Sequence, residues 1–221
     1  MTGTIATGNQ YTGRFAPSPT GFLHIGGART AEHAGPLAAL DALCRLGRID
    51  AVLVSHLHGD HVGDRHIKRV NAGDCGEPEV SETATPNTSS VNIAVAKQAA
   101  ILTGSEMPKF FAAKLEALGG NPAAAQLVRF GGSRKVGGVT VTTVPAVHSN
   151  GVAGAMIGGE LGDMLDAAGL TAYAGPPTGY VLGFSNGLVV YLSGDTGITA
   201  EQASVVRGHY GAQLVVINIG D

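Results

Sequence analysis

Residues 55–61 constrain this chain more than any other part of it. They read Ser-His-Leu-His-Gly-Asp-His, so three imidazoles and one carboxylate fall within seven residues. The stretch directly follows the largely apolar residues 49–54, which predict a buried strand. A strand that ends in such a loop directs several nitrogen and oxygen donors to one point, as a divalent metal such as zinc requires. The sequence therefore predicts a metal site here, with ligands among His56, His58, Asp60 and His61.

Two residues in the second half of the chain extend this pattern. His148 follows the alternating residues 139–144, which are typical of a strand. Asp195 lies in a Ser-Gly-Asp-Thr-Gly turn after the strand-like residues 187–192. Taken singly, a histidine at a strand end and an aspartate in a turn also occur as hydrogen-bonded structural residues. Their occurrence together with residues 55–61 favours metal binding for both.

The His-x-His-x-Asp-His pattern of residues 56–61, followed by His148 and Asp195, resembles the signature of the metallo-β-lactamase superfamily of hydrolases. The resemblance covers residues 35–221. The Gly-Asp-Thr-Gly turn and residues 215–221 are similar to the branch that holds lactonases and phosphodiesterases. This resemblance implies an α/β fold, the four-layer αβ/βα sandwich of the metallo-β-lactamase type, with the ligands on loops at one edge.

The sequence departs from the family pattern at both ends. The family's usual first strands are replaced by other residues, and its C-terminal end with the last metal-binding histidine does not follow residues 218–221. One ligand is therefore expected to be missing, and the second of two metals to be bound more weakly.

The chemistry that the resemblance implies is hydrolysis by a metal-bound hydroxide. One metal is expected on His56, His58 and His148, and a second on Asp60 and His61, with Asp195 bridging the two. One or two zinc ions are expected, with manganese or iron as alternatives. Because a bound metal lowers the pKa of water from about 15.7 to about 7 and polarises the electrophile, no serine or cysteine nucleophile is needed. Asp60 and Asp195 are the expected catalytic residues, acting on a small ester, lactone, amide or phosphodiester.

Residues 14–31 carry an unrelated signature. They contain Phe-Ala-Pro-Ser-Pro-Thr-Gly and the turn His24-Ile25-Gly26-Gly27, and they resemble the nucleotide-binding signature of glutamyl-tRNA synthetases, in which such a turn cradles ATP. No Lys-Met-Ser-Lys-Ser-like loop follows, and we expect the segment to contribute no catalysis. The chain is therefore divided into an atypical N-terminal segment, residues 1–34, and a metallo-hydrolase domain, residues 35–221.

Composition limits the partners of the chain. Its 221 residues, 44% of them hydrophobic, suffice for the core of one domain. Charged residues make up only 14% and the net charge is −3, so no nucleic acid is expected as a partner. A small-molecule substrate is expected, and no pattern indicates an oligomeric state. Without a long apolar run or a secretion signal, no membrane partner and a cytoplasmic location are expected, although a mature chain that had lost its signal would have the same sequence.

Helices and strands are expected to alternate along the chain. The predicted helices cover residues 36–47, 91–102, 108–118 and 199–210, and further strands cover 180–184, 188–192 and 213–218. Asn186-Gly187 predicts a tight hairpin turn between two of these strands. Residues 71–90 and 153–179 are expected to be loops near the site. Asp64 is expected to orient a metal-bound imidazole, and His66 to lie on a helix outside the ligand set.

Three functions stay open at this point. The first is a dinuclear metallohydrolase, and the second is an inactive, metal-poor scaffold or binding protein of the same fold. The third is a nucleotide-binding fragment that uses residues 24–27. Metal analysis separates the first from the second, and ATP binding isolates the third.

Overall fold

The computed structural model describes residues 48–70, 80–85, 87–104 and 106–218, and of residues 65–70 and 80–85 it describes only the backbone. The helix predicted over residues 36–47 and the synthetase-like segment lie outside these residues. The strands are, in chain order, β1 (Ala51–Val54), β2 (Arg65–Val70), β3 (Val80–Thr85), β4 (Ala100–Thr103), β5 (Ala125–Leu127), β6 (Ser133–Val136), β7 (Val139–Pro145), β8 (Gly151–Val152), β9 (Ala172–Tyr173), β10 (Thr178–Gly183), β11 (Val189–Leu192) and β12 (Leu214–Val216). The helices are α1 (Gly59–Val62), α2 (Ser90–Lys97), α3 (Met107–Ala117), α4 (Gly154–Ile157) and α5 (Gly159–Ala167), with a 3-10 turn at Pro122–Ala124 and a π-helix at Gln202–Arg207.

A parallel sheet in the order β1-β4-β5 carries the predicted metal-binding loop at the end of its first strand. Helices α2 and α3 cover one face of this sheet. Helix α2 begins at a capped turn, because the Ser89 side chain accepts a hydrogen bond from the Asn92 N–H. Buried apolar side chains from both helices and from β1 pack into one cluster, which includes Val54, Ala94, Phe111 and Leu115.

The second sheet has five strands in the order β12-β11-β10-β7-β6. Strands β10 and β11 form the predicted hairpin, with Tyr180 opposite Leu192 and Gly183 opposite Val189. Gly187 has a φ of +88° in the turn, a backbone conformation that glycine adopts without strain. Strand β12 pairs with β11 in parallel, whereas the other neighbours are antiparallel.

The two sheets pack face to face, and helical segments cover their outer faces. Leu102 from the first sheet and Val141 and Tyr180 from the second are buried in the cluster between them. On the far side of the second sheet, Tyr191 packs with Val206 of the π-helix. The layers are therefore helix, sheet, sheet and helix, which is the predicted four-layer αβ/βα sandwich. None of the described helices is long and apolar enough to span a lipid bilayer.

Several local predictions are wrong, and each error has a physical reason. The predicted helix over residues 91–102 ends at Lys97, because Gln98 adopts a left-handed conformation and the apolar residues after it form β4. A short apolar run suits a buried strand as well as a helix. The helix predicted over residues 199–210 is shorter than expected, and the structure has a π-helix at Gln202–Arg207.

Both segments that were predicted to be loops contain regular structure. Residues 80–85, within the predicted loop 71–90, form strand β3 and pair with β2. His66 therefore lies on a strand, not on the predicted helix. Residues 153–179 hold α4, α5 and β9. Their glycines obscured this pattern, because glycine is unfavourable within helices yet here permits the close contact of Gly154 with Gly162.

Candidate metal centre

The loop after β1 turns at once into a single helical turn. The backbone carbonyl of His58 accepts hydrogen bonds from the N–H groups of His61 and Val62, at 3.0 and 3.1 Å. Helix α1 begins at Gly59, so the two residues that follow it, Asp60 and His61, leave the extended path of the loop. The motif is thus divided between an extended part with two imidazoles and a helical part with a third imidazole and a carboxylate.

Asn150 joins this loop to the segment that carries His148. Its side-chain oxygen accepts a hydrogen bond of 2.8 Å from the Leu57 N–H. Its amide nitrogen donates to the carbonyl of Gly175 at 2.9 Å. Asn150 is buried, so these contacts replace hydration that the side chain loses in the fold.

The segment that carries Asp195 is joined to the other two loops. The Thr196 hydroxyl accepts a hydrogen bond from the Val147 N–H, and the Gly197 N–H donates to the Val147 carbonyl, both at 2.9 Å. Gly194 has a φ of +59°, and a Cβ atom on it would lie 2.7 Å from the Cβ of Ser55. The residue before Asp195 therefore has to be glycine for the loops to approach each other this closely.

One carboxylate oxygen lies at the middle of the imidazole groups. The distance from Asp195 Oδ2 to His61 Nε2 is 3.0 Å, and its distances to His56 Nε2 and His148 Nε2 are both 3.8 Å. His56 Nε2 lies 3.1 Å from His58 Nδ1. The structure thus brings together side chains from three distant segments of the chain.

Asp60 lies at the edge of this group. Two overlapping sets of residues have ligand atoms that all lie within 4.8 Å of one another, His56 with His58 and His148, and His56 with His61 and Asp195. Asp60 belongs to neither set, but its Oδ2 lies 3.3 Å from His61 Nε2. The first set is the one that the sequence assigned to the first metal.

The donor set fits a divalent metal. Imidazole nitrogens and carboxylate oxygens bind zinc at roughly 2.0–2.2 Å, so two ligands of one tetrahedral ion lie roughly 3.3 Å apart. The separations of 3.0–3.8 Å between these atoms lie on either side of this value. The residues present therefore fit a zinc-like ion, and whether they bind one stays a prediction.

Burial and proximity shift the protonation of the cluster. Burial, together with the neighbouring His61 and His58, lowers the pKa of His56 to about 3. Burial opposes charge on His61 as well, but hydrogen bonds to Asp195 and Asp60 outweigh it and raise the pKa of His61 to about 9. The hydrogen bond from His61 in turn holds the pKa of the Asp195 carboxyl well below its ordinary value. Without metal, the site therefore holds a His61–Asp195 ion pair at neutral pH.

Hydroxyl and amide groups contact the imidazole nitrogens and the carboxylate oxygen that face away from the middle of the cluster. Ser55 Oγ lies 2.9 Å from His56 Nδ1, and Ser149 Oγ lies 3.4 Å from His58 Nε2. The Asn218 amide donates to Asp195 Oδ1, whereas the other carboxylate oxygen, Oδ2, faces the imidazoles. Such partners fix the orientation of metal ligands.

The prediction that Asp64 orients an imidazole finds no support in these contacts, because its Oδ1 accepts a hydrogen bond from the Thr88 N–H. The sequence pattern did not indicate a role at the site for Asn150, Thr196 or Asn218. The first two lie within two residues of an expected ligand, and that proximity is the signal that could have identified them.

A family model described as the Beta-lactamase superfamily domain matches residues 30–221. The chain belongs to the β-lactamase superfamily. The expected superfamily and its fold are thereby confirmed. A second model, for the catalytic domain of class I tRNA synthetases for Glu and Gln, matches residues 10–35, so this short segment of the superfamily member is similar to those enzymes.

Among solved structures, the protein is similar to an isothiocyanate hydrolase from Delia radicum gut bacteria, with a TM-score of 0.41 and 18% sequence identity. The similarity covers 80% of this chain and 53% of that one, so the chain spans about half the length of this neighbour. No curated protein matches the chain.

Proposed function

We propose that this member of the β-lactamase superfamily is a metal-dependent hydrolase of a small ester, lactone, amide or phosphodiester. The observation that carries the proposal is the position of Asp195 Oδ2, within 3.8 Å of imidazole nitrogens from His56, His61 and His148. Structural histidines seldom share one carboxylate oxygen in this way, whereas metal sites require such convergence.

Zinc, manganese or iron would be held by His56, His58 and His148, and by His61 and Asp195 with Asp60 in reach. When bound, such a metal supplies an acidified water and polarises the bond to be cleaved. The side chains of Ser55, Ser149 and Asn218 keep the imidazoles and the Asp195 carboxylate oriented. Burial keeps His56 neutral, which is the form in which an imidazole binds a metal.

The nearby serines are poor candidates for a nucleophile. Ser193 is fully buried, its hydroxyl donates to the Gly194 carbonyl at 2.6 Å, and it accepts from the Asn218 N–H. Ser55 contacts His56 Nδ1 at 2.9 Å, on the side of the ring away from Asp195. Ser193 is therefore held as a structural group, and the low pKa of His56 makes it a weak base for the Ser55 hydroxyl. Both observations support activated water as the attacking group.

The test is a hydrolysis screen on protein reconstituted with zinc, manganese or iron. Asp195→Asn and Asp60→Asn should each lower kcat by at least about a hundredfold, the scale of losing a key electrostatic or general-base group. Ser193→Ala should cost far less. A serine variant that abolishes turnover, while Asp195→Asn retains it, would indicate a covalent hydrolase. Protein that takes up no metal would instead favour the alternative of an inactive scaffold of the same fold.

The synthetase-like segment is kept as a separate hypothesis. We expect no catalytic contribution from residues 14–31, whose match to the synthetase model is confined to residues 10–35. Calorimetric titration with ATP and magnesium tests this, because micromolar binding that His24→Ala removes would contradict it.

A further inference from the structure

The candidate metal centre adjoins a pocket of about 510 Å³. His148 forms part of its wall, so a substrate whose reacting bond lies at the metal centre extends its remaining part into this space. The volume falls within the roughly 300–1,000 Å³ that is usual for small-molecule sites. The lining of the pocket therefore determines which substituents the substrate carries.

Most of the exposed surface of the pocket lining is apolar. Half of the ten lining residues present aliphatic, proline or aromatic surface, namely Ala146, Val147, Tyr173, Pro176 and Pro177. Two of them are strongly exposed, Val147 at 60% and Tyr173 at 76%. When an apolar group of the substrate covers this apolar surface, the free energy of the complex is lowered.

Two polar side chains of the pocket lining, those of Asn150 and Ser149, are already engaged. The Asn150 amide accepts from the Leu57 N–H and donates to the carbonyls of Gly175 and Ala174. The Ser149 hydroxyl contacts His58 Nε2. The other hydroxyl groups of the lining, on Thr171 and Tyr173, carry no positive charge that could pair with an anionic substituent.

No lysine or arginine lines the pocket among the side chains that the structure describes. A metal bound at the neighbouring centre would be engaged by its own ligands, among them the carboxylate of Asp195, and by the reacting bond, so it would leave no cation for a second charged group. A carboxylate or phosphate that contacts this apolar surface would lose part of its hydration without gaining a cationic partner, which is unfavourable.

We propose that this pocket binds an uncharged, mainly apolar substituent, so that the substrates are neutral esters, lactones or amides. Substrates whose non-reacting part carries a carboxylate or phosphate are disfavoured. The inference rests on the proposed hydrolase function and narrows its substrate class. Hydrolysis of such an ester adds one water across the acyl C–O bond and yields an acid and an alcohol, with no other reactant.

A pair of esters of equal shape tests the inference on the zinc-loaded protein. The p-nitrophenyl ester of 4-methylpentanoic acid is neutral, and the p-nitrophenyl hemisuccinate places a carboxylate where the first has its branched methyls. The kcat/KM of the neutral ester should exceed that of the hemisuccinate by at least about tenfold. Equal values, or a preference for the hemisuccinate, would overturn the inference.

A charge introduced into the wall should change this preference. Val147→Arg should raise kcat/KM for the hemisuccinate relative to the neutral ester by roughly three- to tenfold, because it supplies the missing cation. Leu118→Arg is the matched control, since Leu118 is also exposed but does not line the pocket. The same change of preference in both variants would contradict a specific role of the pocket.

A binding experiment with amides distinguishes a failure of this inference from a failure of the hydrolase proposal. The N-(4-nitrophenyl) amides of the same two acids are titrated against the wild-type protein, with and without zinc, and followed by saturation-transfer NMR. Preferential binding of the neutral amide supports the pocket even if neither ester is cleaved, in which case the hydrolase proposal alone fails. Equal binding of the acidic amide, or no binding of either, overturns the inference.

Discussion

Asn150 lies two residues after His148 and is only 3% exposed. It contacts the loop of residues 55–58 through the Leu57 N–H and the segment before β10 through two carbonyls. It therefore sets the distance between His148 and the two histidines of the first loop. A buried amide in this role contributes both to stability and to the geometry of the ligands.

Asn150→Ala should lower the free energy of unfolding by about 1–3 kcal/mol, because it leaves a buried N–H and buried carbonyls without partners. It should also weaken zinc binding by roughly 10–100-fold. Urea denaturation and calorimetric titration measure the two effects. Asn121→Ala is the control, because it removes an exposed cap whose Oδ1 accepts from the Ala123 N–H and costs about 1 kcal/mol. Its zinc affinity should match that of the wild type, and an equal loss in both variants would mean that Asn150 acts through stability alone.

The protonation of His61 links metal affinity to pH. Its pKa is raised to about 9, so at pH 7 the metal-free protein carries a proton on His61 that a metal must displace. Because protons compete with the metal, affinity should rise about tenfold per pH unit from pH 7 to about 9 and then level off. Calorimetry in two buffers of different ionisation enthalpy should show the release of about one proton at pH 7. A pH-independent affinity with no proton release would contradict the ion pair.

At the scale of elements, Tyr180 joins the two sheets. It lies on β10, and its hydroxyl is 2.6 Å from the carbonyl of Val54 and 2.9 Å from that of Leu102, on β1 and β4. The hydroxyl has a single proton, so it donates to one of these carbonyls at a time. Full burial raises the pKa of Tyr180 well above its ordinary value and keeps it a donor. This contact fixes the end of β1, from which residues 55–61 begin.

Tyr180→Phe should lower the free energy of unfolding by about 1–3 kcal/mol, because buried carbonyls lose their donor. Tyr173→Phe removes the same atom from a side chain that is 76% exposed and should change stability by less than about 0.5 kcal/mol. Urea denaturation of the metal-free proteins measures both. A loss for Tyr180→Phe no larger than for the control would show that apolar packing alone holds the sheets together.

A helix or strand can be predicted from the sequence where the local pattern of residues is compatible with only one kind of secondary structure. Strand β1 and the β10–β11 hairpin are confirmed, because a buried apolar run and an Asn-Gly turn each specify their structure locally. Helix α3 is confirmed as well, with Gly119 at a φ of +72° after its end. The sequence pattern predicts a helix where strand β4 lies, because the strand depends on pairing with β1, which comes from another part of the chain.

At the scale of the whole molecule, the six expected ligand residues come from loops at one edge of the sandwich. Their proximity could be predicted from the sequence, because three histidines and an aspartate already lie within seven residues of one another. The groups that hold the loops together, such as the Thr196 hydroxyl on the Val147 N–H, depend on how the sheets pack. Serines, threonines and asparagines that make such contacts look like ordinary turn residues in a sequence.

The measurement that tests the account most directly is zinc titration of the metal-free protein, with X-ray absorption of the zinc-loaded form. The wild type should bind one or two equivalents, with nitrogen and oxygen ligands at roughly 2.0–2.2 Å. Asp195→Ala and His56→Ala should each weaken zinc binding by at least about a hundredfold. His209→Ala, which changes an exposed histidine that contacts Tyr210, should have no effect. Zinc binding that is unchanged in Asp195→Ala, or lost equally in His209→Ala, would contradict a metal centre at this cluster.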